Sequence, residues 1–349
     1  MHKPLDSIQP IIWREDRLHL LDQRRLPNEQ VWLDYQQANE VADAITNMVV
    51  RGAPAIGITA AFGVVLAARE AWLQQGEAWK QAMDKPLAYL AESRPTAVNL
   101  RWAIERMTSV YQDLPDNESP EEILIEQAKM IHNEDIAANH KMGKLGSALI
   151  DADSHVLTHC NAGALATGGF GTALGVIRQA YADGNVTQVY ADETRPWLQG
   201  ARLTAWELSQ EGIPVTLQAD GAAAALMATS KLEWIIVGAD RITANGDVAN
   251  KIGTYMLAIL AKYHNVKVMV VAPTSTIDWT LNSGSEIPIE QRPAEEVTTI
   301  NGVNIAPQGI PALNPAFDVT PASLIDVIVT EAGVVLSPSL ESMSIIKGN

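Results

Sequence analysis

The sequence predicts an α/β fold, in which a smaller, mainly helical N-terminal domain carrying a short antiparallel sheet precedes a C-terminal domain with a Rossmann-like parallel sheet. The chain of 349 residues is longer than a domain with a single hydrophobic core usually is, so we expect two domains. In the C-terminal part, short apolar runs alternate with helical segments, which is typical of a parallel sheet wrapped by helices. Near the N-terminus, a few alternating apolar segments are followed by helical periodicity.

The first third of the chain is expected to form a small antiparallel sheet followed by helices. The predicted strands are Ile11–Trp13, Leu18–Leu21 and Val31–Tyr35. The predicted helices are Asn39–Val50, Pro54–Glu70, Ala78–Ala91 and Val98–Tyr111. The segment 113–122 lacks a periodic apolar face and ends in a helix start. We therefore predict domains at 1–120 and 121–349.

The C-terminal domain is expected to begin with a long amphipathic helix, Glu121–Ala148. Its predicted strands are His155–Thr158, Val186–Tyr190, Pro214–Gln218, Trp234–Gly238, Val266–Ala272 and Leu324–Val329. The helices between them include Thr172–Tyr181, Leu198–Glu211, Gly221–Met227 and Lys251–His264. Sheets of this kind bind ligands outside the carboxyl ends of their strands, so the residues found there are the candidate site.

Charge and cysteine content restrict the classes of function. The chain has 25 basic and 41 acidic residues, a formal charge of -16, and no basic patch, which makes nucleic acid an unfavourable partner. The single cysteine excludes an internal disulfide and a cysteine-based zinc cluster, and it favours the reducing cytoplasm. Residues 1–10 lack an apolar signal core. Residues 52–68 carry no charge, but Pro54 and three glycines favour a buried helix over a membrane span.

The first strand of the parallel sheet runs into a glycine-rich segment, residues 158–172, that contains Cys160. Its four glycines would let the backbone approach an anion at the N-terminus of the following helix. The partial positive charge of that helix end would also activate Cys160 as a base or a nucleophile. The alternative is a flexible loop with a buried core cysteine.

Two more strand ends are followed by polar or charged side chains that could bind a substrate or transfer a proton. After the second strand, Gln199 and Arg202 would face the ligand crevice if the helix begins near Trp197, although residues 192–202 also fit an ordinary capped helix start. Asp240 leaves the apolar fourth strand directly into the cleft, where it would act as a protonated general acid. A surface ion pair with Arg241 is the alternative for this carboxylate.

Cations also stand at predicted helix starts. Asn250 and Lys251 are expected to open a helix after the turn 245–247 and to bind an anion. Arg51 and Arg94 each lie shortly before a proline and a helix in the N-terminal domain, which fits either an anion site or an ordinary helix-start loop.

Two apparent motifs are set aside. Gly169, Gly171 and Gly175, with Asp192 downstream, imitate a dinucleotide fingerprint, but the third glycine is one place too far and the glycines begin too late after the strand. His132 and His140 lie eight residues apart on one helix, which is more typical of a solvated face than of a metal site. The sequence therefore predicts neither nicotinamide binding nor a metal centre.

Six motifs together resemble the methylthioribose-1-phosphate isomerase family over nearly the whole chain. They are Arg-Gly-Ala-Pro-Ala-Ile-Gly at 51–57, Ser-Arg-Pro-Thr-Ala-Val-Asn-Leu at 93–100, Thr-His-Cys-Asn-Ala-Gly at 158–163, Asp-Glu-Thr-Arg-Pro at 192–196, Gly-Ala-Asp-Arg-Ile at 238–242 and Gly-Asp-Val-Ala-Asn-Lys-Ile-Gly-Thr at 246–254. The resemblance implies a homodimer whose active site lies in the cleft between a helical and a Rossmann-like domain, without cofactor or metal. It implies that Cys160 and Asp240 are the catalytic pair, with Asp240 the proton donor. The substrate-binding positions that it implies are Arg51, Gly52, Ala53, Arg94, Gln199, Asn250 and Lys251.

The resemblance implies an isomerase that converts 5-methylthioribose 1-phosphate into the corresponding ribulose phosphate in methionine salvage. Two alternatives stay open. A sister isomerase of ribose 1,5-bisphosphate would share both catalytic residues. A non-catalytic scaffold, like the regulatory subunits of the eukaryotic translation-initiation exchange factor, would bind phosphorylated ligands but lack the Cys and Asp pair, and both residues are present here.

Overall fold

The structure, a computed structural model, describes residues 4–95, 97–300 and 302–347. The chain forms two compact units. The helical unit contains residues 6–139 and 163–171, and the sheet unit contains 4–5, 140–162 and the described residues from 172 onward. The predicted division at residue 120 places a whole long helix in the second domain, whereas Leu124, Ala128 and Ile131 of that helix belong to the core of the helical unit. The compact units thus divide the chain within this helix.

The helical unit packs a three-stranded antiparallel sheet against a set of helices. The strands are β1 (Ile11–Arg14), β2 (Arg17–Leu21) and β3 (Trp32–Tyr35), in the order β1-β2-β3. Glu15 and Asp16 connect β1 and β2 with positive φ angles of 52° and 57°, as a tight hairpin turn requires. The helices are α1 (Ala38–Thr46), α2 (Ala53–Gln75), α3 (Asp84–Glu92), α4 (Val98–Gln112) and α5 (Glu121–Ser147), whose last part lies in the sheet unit.

The helix α2 is the centre of the helical unit. The stretch Ala53–Ala82 is long and apolar enough to cross a membrane, but 78% of its most apolar window is buried inside the protein. Gly57 and Gly63 allow this close packing, because an added Cβ would meet Asn99 O at 2.9 Å and Leu90 Cδ2 at 3.1 Å, respectively. The burial is that of a core helix, as the sequence predicts.

The sheet unit contains the predicted parallel sheet. Its strands are β4 (Ser154–Thr158), β5 (Val186–Asp192), β6 (Val215–Gln218), β7 (Trp234–Val237), β10 (Lys267–Val271), β15 (Val327–Thr330) and β16 (Gly333–Leu336). They are ordered β16-β15-β10-β7-β4-β5-β6, and all pairs are parallel except β15 with β16. The chain leaves β4 towards β6 on one side and returns to β7 on the other. The gap between β4 and β7 is therefore the topological switch point of a Rossmann-like sheet.

A second, smaller sheet of the sheet unit was not predicted. It contains β8 (Arg241–Thr243), β9 (Val248–Lys251), β11 (Ile277–Asp278) and β14 (Phe317–Thr320) in the order β11-β8-β9-β14. A two-stranded hairpin is formed by β12 (Thr299–Ile300) and β13 (Val303–Asn304). The helices of this unit beyond α5 are α6 (Ala173–Ala182), α7 (Ala205–Glu211), α8 (Ala223–Thr229), α9 (Thr254–His264), α10 (Glu295–Thr298) and α11 (Leu340–Met343).

The predicted fold class is confirmed, but several element bounds were wrong. The predicted helix Ala78–Ala91 is a 3₁₀ helix, Gly76–Ala82, followed by α3, which begins where Pro86 fits the first helical turn. The predicted strand Leu324–Val329 begins only at Val327, because a 3₁₀ turn occupies Ala322–Leu324.

Candidate active site

Cys160 and Asp240 follow the two strands that flank the switch point. Strands β4 and β7 are hydrogen-bonded neighbours, with Leu157 opposite Ile235. Cys160 comes two residues after β4 and Asp240 three residues after β7. The two loops approach closely, because a Cβ on Gly238 would lie 2.7 Å from the Ala162 Cβ. The two predicted catalytic residues thus occupy adjacent loops at the edge where such sheets bind ligands.

Cys160 is buried in the loop that follows β4 in the sheet unit. Its side chain is 8% exposed, and its backbone is left-handed with φ of 63°. Helix α6 begins only at Ala173, after the glycine-rich segment. Residues 163–171 of that segment belong to the helical unit. The N–H groups of Thr172 and Leu174, at the start of α6, donate to the carbonyl oxygen of Ala162 at 3.1 and 3.2 Å. Ala162 is two residues after Cys160, so the activation of Cys160 by this helix end stays a prediction.

The residue before Cys160 anchors three segments of the sheet unit. His159 is buried, with its Nδ1 3.0 Å from Asp192 Oδ2 and its Nε2 2.8 Å from the carbonyl oxygen of Ile252. Burial alone lowers the pKa of His159, but the hydrogen bond and charge of Asp192 more than offset it, so the pKa lies above the usual imidazole value. Neither His159 nor Asp192 was predicted as a site residue, although both lie inside the quoted motifs.

A cation site at this place is not supported by the hydrogen bonding. Ligand atoms of His159, Asp192 and Asp220 lie within 4.8 Å of one another. Both ring nitrogens of His159 are engaged, however, and Asp192 Oδ1 accepts a hydrogen bond from Gln218 Nε2 at 2.8 Å. The Asp220 carboxylate accepts the backbone N–H groups of Thr194 and Arg195, each at 2.7 Å. Both ring nitrogens of His159 face acceptor oxygens and therefore donate, which leaves the ring no lone pair for a metal ion, and the two carboxylates accept donors from neighbouring loops.

The segment after β5 carries Gln199 and a π-helical turn, Gly200–Thr204, where a continuous α-helix was predicted. The turn packs against Asp192, because a Cβ on Gly200 would collide with the Asp192 carbonyl oxygen. Gln199 is 6% exposed, and its Oε1 accepts no hydrogen bond from the described residues. A buried amide oxygen without a donor is an acceptor suited to a ligand hydroxyl. The Arg202 guanidinium stacks on Trp197 at 4.3 Å from the ring centroid.

Asn250 and Lys251 lie on strand β9, so the prediction that they open a helix was wrong. They pair with Asp318 and Phe317 of β14, and α9 starts later because Gly253, with φ of 106°, is not helical. Asn250 Nδ2 donates to Thr254 Oγ1 at 3.0 Å, and Lys251 Nζ donates to the carbonyl oxygen of Ala316 at 3.0 Å. Lys251 also lies over the Phe317 ring at 4.8 Å.

Asp318 binds the N-terminus of α9. Its carboxylate accepts the N–H groups of Gly253 at 2.8 Å and Tyr255 at 3.1 Å. Burial raises its pKa, although these two donors oppose the effect. The backbone N–H groups at the start of α9 are therefore already bonded to a side chain of the same protein.

Asp240 is half-buried, and its backbone N–H donates to the carbonyl oxygen of Ala249 at 2.9 Å. This bond ties the loop after β7 to β9, the strand that carries Asn250. The Arg241 guanidinium, which the sequence analysis considered as a partner of Asp240, lies 3.6 Å from Asp278.

The helical unit holds the other predicted binding residues. Gly52 is the N-cap residue of α2 with φ of 94°, and Ala53 begins the helix directly after it. A Cβ on Gly52 would meet Ala166 O at 2.6 Å, so the start of α2 lies against the glycine-rich segment. Arg51, which precedes this cap, is 9% exposed.

Arg94 stands near a second helix start at the same end of the helical unit. It precedes α4, and its carbonyl oxygen accepts the N–H of Ala97, the N-cap residue. The close approach of Gly57 to Asn99 shows that α2 and α4 meet at their N-terminal turns. Two arginines and the positive ends of two helices are a suitable environment for a phosphate.

One face of α5 fixes the glycine-rich segment in the helical unit. His132 Nε2 lies 2.8 Å from Gly168 O, the Asp135 carboxylate accepts the Gly168 N–H at 2.7 Å, and Asn139 Nδ2 donates to Gly169 O at 3.0 Å. Burial lowers the pKa of His132, opposed by its bond to Gly168. The prediction of a solvated face was wrong for His132, which holds the loop.

Gly52→Ala is expected to lower the unfolding free energy by about 1–3 kcal/mol or more, because a side chain there combines positive φ with collision against the Ala166 backbone. Gly76→Ala is the matched control, since Gly76 also has positive φ, 53°, but has no atom within 4 Å of an added Cβ. Denaturant unfolding of both variants measures the difference. Equal losses in the two variants would show that the close approach at Gly52 contributes nothing.

The two units divide the predicted site residues between them. The sheet unit carries Cys160, Asp240, Gln199, Asn250 and Lys251, and the helical unit carries Arg51, Gly52, Ala53 and Arg94. In the first group, Cys160, Asp240 and Gln199 follow strands of the parallel sheet, whereas Asn250 and Lys251 lie on β9 of the smaller sheet. The second group lies at two helix starts.

Comparisons with known proteins agree over nearly the full length of the chain. The initiation factor 2 subunit family matches residues 49–337. A protein of Nitrosococcus oceani named methylthioribose-1-phosphate isomerase is 59% identical, covering 98% of this chain and 99% of its own. A protein of the same name from Pseudomonas aeruginosa is 57% identical, covering 97% and 95%.

Two solved structures share the fold. The crystal structure of 5-methylthioribose 1-phosphate isomerase from Pyrococcus horikoshii has a TM-score of 0.93 and 44% identity, covering 99% of this chain and 98% of its own. A structure from A. fulgidus described as translation initiation factor eIF-2B, subunit delta, has a TM-score of 0.88 and 40% identity, covering 98% and 100%. The chain therefore belongs to the initiation factor 2 subunit family and, within it, to the family of the methylthioribose-1-phosphate isomerases.

Proposed function

We propose that this chain is an aldose-ketose isomerase that converts 5-methylthioribose 1-phosphate into 5-methylthioribulose 1-phosphate, a step of methionine salvage. The observation that carries the proposal is the placement of Cys160 and Asp240 on the two loops that flank the switch point. The relatives that share 57–59% identity and bear the name of this isomerase support the same substrate.

The substrate's chemistry explains why an acid is needed. Phosphate on the anomeric carbon leaves no free aldehyde, so the enzyme itself must open the ring. We assign to Asp240 the protonation of the ring oxygen as the bond between that oxygen and C1 breaks. C2 then loses its hydrogen and C1 gains one, while the C2 hydroxyl loses its proton as the ketone forms, which balances the proton that Asp240 supplied. C2 is oxidised and C1 reduced within the same molecule, so no external redox partner is consumed.

Two routes carry the hydrogen from C2 to C1. In the first, Cys160 takes the C2 proton, an enolate forms, and a proton is returned to C1. In the second, a hydride moves from C2 to C1 and Cys160 stabilises the transition state. The reaction in deuterated water tests them, because deuterium at C1 assigns the enolate route and its absence argues against that route.

The cations and small residues fit a phosphorylated sugar. We assign Arg51, Arg94 and Lys251 to the phosphate, which they would bind through charge-assisted hydrogen bonds. The backbone at Gly52 and Ala53 would let the phosphate approach the start of α2 closely. The buried Gln199 Oε1 suits a sugar hydroxyl, and Asn250 supplies a further amide. The family resemblance also supports a homodimer in the cytoplasm that needs no cofactor or metal, and light scattering of the purified chain tests the dimer.

A direct comparison of substrates tests the function. The purified chain is assayed with 5-methylthioribose 1-phosphate and with ribose 1,5-bisphosphate, and we expect kcat/KM to favour the first. A preference for the bisphosphate would assign the sister activity. The 40% identity to the structure described as an eIF-2B subunit makes a scaffold the second candidate, which binding of both sugars without turnover would support.

A further inference from the structure

Cys160 has a backbone conformation that an ordinary residue avoids. Its φ of 63° lies in the left-handed region, where the Cβ of an L-residue is crowded against the carbonyl oxygen that follows it. Such strain persists only where the surroundings over-determine the conformation. Two threonine hydroxyls do so here, one on each side of the residue.

Both backbone groups of Cys160 are bonded to threonines of the segment after β5. The Cys160 N–H donates to Thr194 Oγ1 at 2.8 Å, and Thr204 Oγ1 donates to the Cys160 carbonyl oxygen at 2.6 Å. Thr194 and Thr204 are each 0% exposed, so water does not replace either bond. The two hydroxyls thus bond the N–H and the carbonyl oxygen of the same strained residue.

The single proton of each hydroxyl is committed. Thr194 Oγ1 accepts from Cys160 and donates to the Asp192 carbonyl oxygen at 3.1 Å. Thr204 Oγ1 donates to Cys160 and accepts from Asn161 Nδ2 at 3.2 Å. Turning either hydroxyl towards another partner would break one of these bonds. The two bonds therefore fix the orientation of the Cys160 peptide groups as well as their distance from the threonines.

The same segment links this arrangement to substrate binding. Thr204 closes the π-helical turn Gly200–Thr204, and Gln199 directly precedes it. The turn is set by the contact of Gly200 with the Asp192 carbonyl oxygen, the group that also accepts from Thr194. Single π turns inside helices are frequent at functional sites.

We propose that Thr194 and Thr204 are positioning residues that hold Cys160 in its left-handed conformation and thereby aim its thiol at the substrate. The inference deepens the proposed function and rests on it for the role of the thiol. Without the hydroxyls, the Cys160 peptide units relax to an ordinary conformation and the sulfur moves away from the reacting carbon. The hydrogen-bonding hydroxyl is needed, and the threonine methyl group is not.

Hydroxyl removal and hydroxyl retention are compared at each position. In Thr194→Val and Thr204→Val we expect kcat to fall about 10²-fold with little change in KM, as misplacement of a reacting group by about 1 Å does. Thr194→Ser and Thr204→Ser keep the hydroxyl and should retain kcat within a few-fold of the unmodified chain. Thr320→Val is the control, since Thr320 is buried in the same unit and its hydroxyl has no partner among the described residues.

A second readout does not depend on the substrate. Cys160 is the sole cysteine of the chain, so iodoacetamide alkylation reports this thiol alone. We expect faster alkylation in both valine variants, because the released thiol becomes more accessible, and unchanged alkylation in the serine variants and in Thr320→Val. Alanine variants at positions 194 and 204 give the same comparison if valine prevents folding.

Two results would overturn the proposal. One is unchanged kcat and alkylation in the valine variants, and the other is a loss in the serine variants as large as that in the valine variants. If the unmodified chain shows no isomerase turnover, the proposed function fails. The alkylation rates then still decide whether the two hydroxyls position Cys160.

Discussion

Asp240→Asn is expected to lower kcat by about 10²- to 10⁴-fold, the range that a positioned general acid contributes. The amide has nearly the shape of the carboxylic acid but cannot protonate the ring oxygen. Cys160→Ser should cause a comparably large loss, because a serine hydroxyl ionises far less readily than a thiol to take the C2 proton and does not reproduce the sulfur's contact with the transition state. Steady-state assays with 5-methylthioribose 1-phosphate measure both.

Folding and charge need separate controls in this experiment. Thermal unfolding of both variants should stay near that of the unmodified chain, since neither change enlarges or shrinks the side chain appreciably. Asp153→Asn removes an exposed carboxylate that pairs with Lys231 on the surface, and it should leave turnover unchanged. Near-normal turnover of Asp240→Asn or Cys160→Ser would refute the assignment of that residue.

Arg178→Ala is expected to lower the unfolding free energy by about 3–5 kcal/mol, because it leaves two buried carboxylates uncompensated. Arg178 on α6 is fully buried, and its Nη2 and Nε lie 2.8 Å and 2.6 Å from Glu207 and Glu211 of α7. Glu207 also accepts from Asn161, the residue after Cys160, at 2.9 Å. The change should therefore reduce turnover as well as stability.

An exposed arginine pair is the control for this loss. Arg106 bonds Glu134 at 2.6 Å with half of the glutamate exposed, and pairs of that kind contribute about 0–1 kcal/mol. Denaturant unfolding of Arg178→Ala and Arg106→Ala should differ accordingly. A loss in Arg178→Ala no greater than in Arg106→Ala would contradict the stabilising role of the buried cluster.

The sequence was sufficient to predict the parallel sheet and the two loops that carry Cys160 and Asp240. Apolar runs of strand length, each followed by polar or glycine-rich residues, indicated β4 and β7, and hence the placement of Cys160 and Asp240 at strand ends. Charge-free residues 52–68 correctly indicated a buried helix, because glycine and alanine allow helices to approach closely.

The remaining features depend on long-range contacts that leave little mark in local periodicity. Asn250 and Lys251 resemble a helix start, but pairing with β14, more than sixty residues later in the chain, makes them a strand. The π turn results from the contact of Gly200 with Asp192, and the left-handed Cys160 from hydroxyls 34 and 44 residues away. His132 was misjudged for the same reason, since its partner Gly168 lies 36 residues further along the chain.

The central claim is that this chain turns over 5-methylthioribose 1-phosphate by its own residues. The most direct measurement is an NMR time course of that sugar with the purified chain in the presence of a metal chelator and without added nucleotide. We expect loss of the anomeric C1 signal and growth of a ketose carbonyl signal, at a rate unaffected by the chelator. A sugar that remains unchanged, or that is converted only after metal or nucleotide is added, would contradict it.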